Sequence, residues 1–264
     1  MTTDFSTVLG GLTGDGPTRH GHIPDNWRQG RTVFGGIVAA MALAAARSTF
    51  PGETAPLRSA QVSFIGPLVG DATFQCDLLR KGRSASFVQV SVSSEGTVAA
   101  QCVFCFGAAR PSAISYRNLG PNALSPEETP SFFEDMNRRP VFARNFEMRL
   151  AAGYRPVSGA AKPRMTLWVR HGDEQAWTSE AGFLALCDAP PPAAMSMLQD
   201  FAPISSMSWL ITMLTDTIST REGWWLIGNR ADHVADGYSS QAMSIWNRFG
   251  RPIAQAQQTV AVFG

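Results

Sequence analysis

The sequence predicts an α+β protein that is made of two similar halves. In each half, a stretch of small apolar residues typical of a buried helix is followed by runs of β-branched and aromatic residues between glycine-bearing turns. The clearest repetition relates residues 82–107 to residues 237–264, since both segments predict a strand, a glycine turn and a second strand. A repeat of this size indicates two copies of one domain in a single chain.

The first half, residues 1–110, begins with about 30 residues rich in Gly, Thr and Asp, for which we expect irregular structure. Gly35 and Gly36 then precede Ile37–Ala46, which is apolar on every side, and a helix without a polar stripe is normally buried. The pair Pro51-Gly52 ends this helix. The following runs predict the strands of an antiparallel meander: Ser59–Ile65, Asp71–Arg80, Ser84–Ser93 and Thr97–Phe106.

Residues 111–140 are predicted to form a linker, because prolines, serines and asparagines interrupt the pattern there. The second half, residues 141–264, repeats the order of the first. Three prolines and an apolar run follow Asp188, which predicts a helix over residues 188–198 with Asp188 as its N-cap. The remaining runs predict strands at Phe142–Leu150, Arg164–Arg170, Ser206–Leu214, Trp224–Asn229, Ser239–Asn247 and Ile253–Phe263.

Composition limits what the protein can do. Hydrophobic residues make up 44% of the chain, so we expect a packed core, and a net charge of +1 gives no global field to attract nucleic acid. The N-terminus lacks the pattern of a signal peptide, and the longest apolar helical run is too short to cross a bilayer, so we expect a cytoplasmic protein. Cys102 and Cys105 lie three apart in a predicted strand, which favours structural cysteines over a redox or zinc pair.

The last predicted strand has one polar residue on its apolar side. Alternate residues of a strand face opposite sides, so Gln255, Gln257 and Thr259 share one side, while Gln258 lies with alanines and valines on the other. Burying an amide without partners costs about 1–3 kcal/mol, so Gln258 should have a partner. That partner is protein, water or substrate, and a satisfied core glutamine explains the pattern as well as a functional one does.

Two other residues are candidates for a site. Asp188 places a carboxylate at the predicted start of a helix, where ligand and water can reach it, although capping alone explains an Asp before prolines. Ser206 opens a predicted strand, and its hydroxyl is equally explained by an ordinary turn. Neither residue points to a function by itself.

Four motifs occur in a set order along the chain. They are VFGG at 33–36, RKGRS at 80–84, LCDAPP at 186–191 and GRPIAQAQQ at 250–258. Together with the repeat, this order resembles the bacterial acyl-CoA thioesterase II family over most of the chain. Members of that family are double-hotdog proteins, so the resemblance implies two antiparallel sheets, each wrapped around a long central helix.

The resemblance also implies a site and a reaction. In that family the hydrolytic water is held by an Asp at the start of the second central helix, a Thr or Ser opening the next strand and a Gln on the last strand. The resemblance places these residues at Asp188, Ser206 and Gln258. Many relatives have Thr at the second position, so the hydroxyl is kept here and a methyl group is lost. The alternatives are neighbouring groups: Ser205 or Ser208 for the hydroxyl, and Asp200 for the carboxylate. We expect hydrolysis of an acyl-CoA to free acid and CoA, with no metal or organic cofactor.

Further expectations concern the oxyanion and the coenzyme A phosphates. Backbone N–H groups at Gly35 and Gly36 are candidate oxyanion donors, because the first turn of a helix has unpaired donors and the positive end of the dipole. Close packing of a buried helix explains these two glycines equally well. Phosphate contacts are expected from Arg80, Lys81 and Arg83, or from Arg138-Arg139, although a solvated hairpin tip explains the first cluster.

The first half is expected to lack a site of its own. Gln101 is predicted to correspond to Gln258, but the first helix opens with glycines and no Asp, so we expect one active centre per chain. Acyl-CoA is the expected partner, and the sheets are expected to allow a homo-oligomer. A non-catalytic acyl-CoA or lipid-binding protein is the main alternative. A hotdog dehydratase is a weaker one, because neither predicted helix contains His.

Overall fold

The computed structural model describes residues 2–53, 55–116, 120–121, 123–134 and 139–263. Within these residues the helices are α1 (Phe5–Gly10), α2 (Gly35–Thr49) and α3 (Glu180–Cys187). The strands are β1 (Thr18–Ile23), β2 (Arg28–Gln29), β3 (Thr32–Val33), β4 (Leu57–Phe64), β5 (Gly70–Lys81), β6 (Ala85–Ser94), β7 (Thr97–Gly107), β8 (Phe146–Gly153), β9 (Arg164–His171), β10 (Ile204–Met213), β11 (Trp225–Ala235), β12 (Tyr238–Asn247) and β13 (Pro252–Val262). The predicted α+β class is confirmed.

Eleven of the strands form one continuous antiparallel sheet, in the order β1-β5-β6-β7-β4-β10-β13-β12-β11-β9-β8. The first half of the chain supplies one side of this sheet and the second half supplies the other. They meet where β4 pairs with β10, with Ala60 opposite Ile211. The prediction of two separate sheets is therefore wrong. Pairing β4 with β10 satisfies backbone groups that two separate sheets would leave at open edges.

The two halves repeat the same strand order outward from this junction. Next to β4 lie β7, β6 and β5, and next to β10 lie β13, β12 and β11. Corresponding strands of the repeat therefore occupy corresponding places on either side of the junction. The exact limits of the domains, at residues 110 and 140, remain a prediction.

Helix α2 is the long buried helix that the sequence predicts. Its residues from Gly36 to Leu43 are all buried, because it packs against the sheet and against α3. Helix α3 has only eight residues, so the second half lacks a long central helix. The Ser179 hydroxyl caps α3 by accepting the Gly182 backbone N–H at 2.9 Å. Arg47 of α2 and Glu180 of α3 form an ion pair at 2.6 Å between the halves.

The predicted helix over residues 188–198 is wrong, and the helix precedes Asp188. Helix α3 ends at Cys187, Asp188 is its C-cap, and the prolines lead into a short 3₁₀ turn, Ala193–Met197. Consecutive prolines lack N–H groups, and each one drives the residue before it away from helical conformations. Pro190–Pro192 therefore form an extended connection and cannot serve as a first helical turn.

The N-terminal region is more ordered than expected. Residues 18–23 form β1, which pairs with β5 and extends the sheet, and Phe5 of α1 is buried in the core. Among the described residues, no helix combines the length and apolar character needed to span a membrane. Cys102 and Cys105 are free, and only Cys102 is fully buried, as alternation along β7 requires.

Candidate active site

Asp188 lies where the two halves meet, beside the first turn of α2. A methyl group added at Gly35 would lie 3.0 Å from Asp188 Oδ2, and the Gly36 backbone N–H hydrogen-bonds to this carboxylate. Asp188 is therefore at the N-terminus of a helix, but of the helix in the other half. Free N–H groups and the helix dipole favour an anion at this position. Gly35 and Gly36 are needed here because a side chain would collide with Phe64, Phe34 or the Ala185 backbone.

Gln258 is the direct side-chain partner of Asp188. It lies on β13 and is 5% exposed, while Gln255, Gln257 and Thr259 on the other side of the strand are exposed. The predicted facing of this strand is confirmed. The Gln258 Nε2 group donates to Asp188 Oδ1 at 2.6 Å, so the amide has the protein partner that its burial requires.

Burial changes the acid strength of Asp188. Its surroundings raise the pKa of the carboxyl from 3.8 to about 7, because burial disfavours the charged form more than hydrogen bonds from Gln258 and the Gly36 N–H favour it. Asp188 is only partly exposed, and that exposure is to the cavities it lines. A carboxyl with a pKa near neutrality can accept a proton from water in its charged form and release it readily.

Two cavities meet at Asp188. The smaller, about 330 Å³, is lined by uncharged residues apart from Asp188, among them Val33, Val38, Phe64 and Leu68. The larger, about 660 Å³, is lined by aromatic residues, prolines and two arginines. Ser206 and Asp188 line both cavities, and Gln258 lines the larger one. The three residues that the family resemblance implied therefore share one cavity, at the point where it adjoins the second.

The structure also separates the alternative residues. Ser206 is partly buried on β10, and a bulge follows it because the pairing with β13 shifts between Ser206 and Ser208. Ser205 is exposed and lines only the smaller cavity, while Ser208 is exposed and lines neither of the two. Asp200 is exposed and lines neither cavity. The geometry favours Asp188 and Ser206 over these neighbours.

The predicted phosphate contacts lie apart from this site. Lys81 pairs with Glu53 at 2.5 Å, just beyond the C-terminal end of α2. Asp188 is at the opposite end of this helix, and 15 helical residues span about 22 Å. Arg80, Lys81 and Arg83 line neither cavity.

The second predicted cationic cluster is closer to Asp188. Arg138 lies outside the described residues, and Arg139 lines the larger cavity together with Arg144. The Arg139 guanidinium donates to the Ala143 and Phe146 carbonyls and lies 4.4 Å from the centre of the Phe133 ring. Arg144 is exposed at the surface of the same cavity. Among the described residues, these two arginines are the cations that line either cavity.

The predicted equivalence of Gln101 and Gln258 is wrong, because the two residues lie on opposite faces of the sheet. Across the strands, Trp209 pairs with Gln258 and with Val62, and Val62 pairs with Cys102. Cys102 therefore lies in the same row across the sheet as Gln258, and on the same face. Gln101 faces the other side of the sheet, where it bonds to Ser91. A shift of one residue changes the face on which a strand residue lies, so the first half has no amide in this place.

Gln241 lies directly behind this site and is not among the residues that the sequence predicts for it. It lies on β12 directly opposite Gln258, is 1% exposed, and its Nε2 group donates to Gln258 Oε1 at 2.5 Å. Its own Oε1 accepts the Ala193 backbone N–H at 3.0 Å. The alternation that identified Gln258 would have identified Gln241 too, because it shares the buried side of β12 with Met243 and Ile245.

The fold and site can be compared with known proteins. The model of the acyl-CoA thioesterase C-terminal domain matches residues 121–262, and that of the N-terminal domain matches residues 23–107. Comparison with curated proteins gives no match.

Solved structures with a similar fold cover nearly the whole chain. A conserved protein of unknown function with a hot dog fold from Alicyclobacillus acidocaldarius is 23% identical, with a TM-score of 0.88 over 100% of this chain and 99% of that one. The TesB protein of Mycobacterium avium subs paratuberculosis is 17% identical, with a TM-score of 0.79 over 98% of each chain. The acyl-CoA thioesterase II TesB2 of Mycobacterium marinum is 17% identical, with a TM-score of 0.75 over 98% of each chain.

These similarities identify a thioester hydrolase with the hot dog fold. More particularly, because the C-terminal model alone matches more than half of its residues, the chain belongs to the acyl-CoA thioesterase family.

Proposed function

We propose that this protein hydrolyses acyl-CoA thioesters with a water molecule that Asp188, Ser206 and Gln258 hold. The observation that carries this proposal is the pairing of Asp188 with Gln258 at 2.6 Å, at the meeting point of two cavities. A charged Asp188 takes a proton from the water, whose oxygen attacks the thioester carbonyl. The carbon–sulfur bond then breaks, and the proton held by Asp188 passes to the leaving thiolate of coenzyme A.

The other groups have separate roles in this proposal. The Ser206 hydroxyl orients the water, since Ser206 lines both cavities beside Asp188. The Gln258 Nε2 group has two N–H bonds, and one of them donates to Asp188. The second N–H is left to donate to the water or to the thioester oxygen. The Gly35 backbone N–H is the proposed oxyanion donor, because it is the first residue of α2 and the helix offers it no acceptor. Gly36 is not available in this way, since its N–H bonds to Asp188.

The two cavities suggest how the substrate lies. Coenzyme A carries several phosphate charges, and Arg139 and Arg144 line only the larger cavity. Among the described residues that line the smaller cavity, Asp188 alone is ionisable, which suits an apolar acyl group. We therefore propose that the coenzyme A part occupies the larger cavity and the acyl part the smaller one, with the thioester at Asp188.

A panel of acyl-CoA thioesters of different acyl length, with free-thiol detection, tests this proposal. The wild-type protein should release thiol from at least one member, and Ser206→Ala and Gln258→Ala should each lower kcat by roughly ten- to a hundredfold. Gln257→Ala, on the exposed side of the same strand, is the matched control and should keep wild-type activity. Tight binding of acyl-CoA without thiol release would favour a binding protein and reject the hydrolase.

We also propose that two copies pair through the outer face of the sheet. On the adjacent strands β4, β10, β13 and β12, every exposed residue is uncharged. These residues are Gln61, Ser63, Ser205, Met207, Ser208, Leu210, Thr212, Gln255, Gln257, Thr259, Tyr238 and Ser240. Protein interfaces are depleted of charge at their centre. Light scattering should give the mass of a dimer or larger oligomer for the wild type and a monomer for Leu210→Arg; a monomeric wild type would reject the pairing.

A further inference from the structure

We propose that Gln241 is a positioning residue that fixes which way the Gln258 amide points, so that Gln258 presents an N–H group to Asp188. This inference rests on the proposed function of the site but concerns a residue outside it, since Gln241 lines neither cavity. Gln241 acts on the reaction only through Gln258.

The hydrogen bonds run in one direction through four groups. The Ala193 backbone nitrogen can only donate, so the atom of Gln241 that faces it, at 3.0 Å, must be the Oε1 acceptor. The Nε2 group of Gln241 must then donate to Gln258, which therefore turns its Oε1 toward β12. The Nε2 group of Gln258 is left to face Asp188 at 2.6 Å. A backbone N–H thus determines the orientation of both amides.

The Ala193 backbone N–H, which begins this series of hydrogen bonds, has a fixed position. Residues 190–192 are prolines, so Ala193 is the first residue after Ala189 that has a backbone N–H. Ala193 begins a 3₁₀ turn and is fully buried, and Gln241 is 1% exposed. Bulk water therefore does not compete for these groups, and a hydrogen bond in such surroundings is costly to leave unmade.

The orientation matters because the two ends of an amide have opposite effects on a carboxylate. An N–H group stabilises charged Asp188, whereas a carbonyl oxygen would repel it and could bond only to its protonated form. Without Gln241, only Asp188 itself orients the Gln258 amide, and a protonated Asp188 can donate to the carbonyl oxygen of a turned amide. Asp188 would then keep its proton to higher pH and would be a poorer base at neutral pH.

The first half of the chain gives an independent indication that the two glutamines form one unit. The row of paired residues that contains Gln241 and Gln258 continues across the junction into the first half, where it contains Cys102 and Val90. In the half that lacks Asp188, this row contains apolar or weakly polar side chains and no amide. The two amides are thus present together beside Asp188 and absent together from the part of the row in the first half.

A double-mutant cycle tests whether Gln241 acts through Gln258. Gln241→Met should lower kcat roughly tenfold with KM changed less than about threefold, and adding it to Gln258→Met should change kcat less than about twofold further. Gln101→Met, which removes a glutamine hydrogen bond on the opposite face, is the matched control and should keep wild-type kcat. Independent effects that multiply in the double variant would overturn the inference.

A second readout does not depend on turnover. In wild type, Gln241→Met and Gln101→Met, the Asp188 carboxyl is titrated by ¹³C NMR and assigned with Asp188→Asn. Its midpoint should rise by about one pH unit in Gln241→Met only. Among the described residues, Cys187 is the ionisable neighbour of Asp188 in the chain, and Arg139 and Arg144 are the other ionisable groups that line the larger cavity; none of them is altered.

The outcomes separate the inference from the proposed function. If the wild type hydrolyses no acyl-CoA, the hydrolase proposal fails, and the titration alone decides the role of Gln241. An unchanged Asp188 midpoint in Gln241→Met, with the protein folded by circular dichroism, would reject it whatever the activity.

Discussion

Replacing Asp188 by Asn should change how the stability of the protein depends on pH. Two buried groups have pKa values shifted in opposite directions. Burial raises the pKa of Asp188 to about 7, and burial lowers the pKa of His171 from 6.5 to about 4. His171 is 2% exposed and lies between Phe5 and Phe146, with ring centres 4.9 and 4.5 Å away.

The two shifts affect the free energy of unfolding in opposite senses. Between about pH 4 and 7 the native state keeps a proton on Asp188 that the unfolded chain has released, so stability falls as pH rises. Between about pH 4 and 6.5 the native state lacks a proton on His171 that the unfolded chain keeps, so stability rises with pH. Each full proton difference changes stability by about 1.4 kcal/mol per pH unit.

From about pH 5 to pH 6.5, Asp188 should contribute a fall of about 2 kcal/mol and His171 a rise of about 1.5 kcal/mol. The wild type should therefore be nearly flat over this interval. Asp188→Asn should gain about 1.5 kcal/mol as pH rises, because only the His171 effect remains. Carboxyls with lowered pKa, such as Glu53 and Glu147, affect the pH dependence of stability mainly below this interval, because their ordinary pKa is 4.5.

Urea unfolding followed by tryptophan fluorescence, at several pH values in this interval, measures these changes. His171→Gln is the opposite control: it should become less stable as pH rises, by about 2 kcal/mol, because only the Asp188 effect remains. Equal pH slopes for wild type and Asp188→Asn would refute the raised pKa of Asp188 and with it the electrostatic account of the site.

Three further predictions concern activity. The kcat of the wild type should rise about tenfold between pH 6 and pH 8, as Asp188 changes from about one-tenth to about nine-tenths charged; a flat profile would exclude Asp188 as the base. Gly35→Ala should lower kcat on the order of tenfold, because the new methyl would lie 2.9 Å from Phe64 and 3.0 Å from Asp188, whereas Gly52→Ala, with open space, should be neutral. Arg144→Gln should raise KM for acyl-CoA several-fold with kcat unchanged, whereas Arg83→Gln should leave KM unchanged. The reverse result would indicate that the phosphates bind at residues 80–83.

The parts of the site that depend on short-range patterns could be predicted from the sequence. Side chains of a strand alternate between its two faces, so the sequence alone shows that the polar Gln258 lies on the apolar face of β13. Asp188 was found for a related reason, as a polar residue between an apolar run and prolines. The pattern predicts the helix on the wrong side of Asp188, because a carboxylate next to an apolar run fits either the start or the end of a helix. The consecutive prolines decide between the two, since each one disfavours a helical conformation of the residue before it.

The parts that depend on register could not be predicted in the same way. Gln241 is 17 residues from Gln258 in the chain, and only the pairing of β12 with β13 brings the two amides together. Gln101 was matched to Gln258 by similarity of sequence, but bulges shift the pairing by one residue in several strands. One residue is enough to exchange the buried and exposed faces.

The turnover of Asp188→Asn at about pH 8, on the best substrate of the acyl-CoA panel, tests the central claim most directly. Loss of a general base should lower kcat at least about a hundredfold, while the variant stays folded and is no less stable than the wild type at that pH. An Asp188→Asn variant that releases thiol within about threefold of the wild-type rate would contradict the account, because no other carboxylate among the described residues lines either cavity.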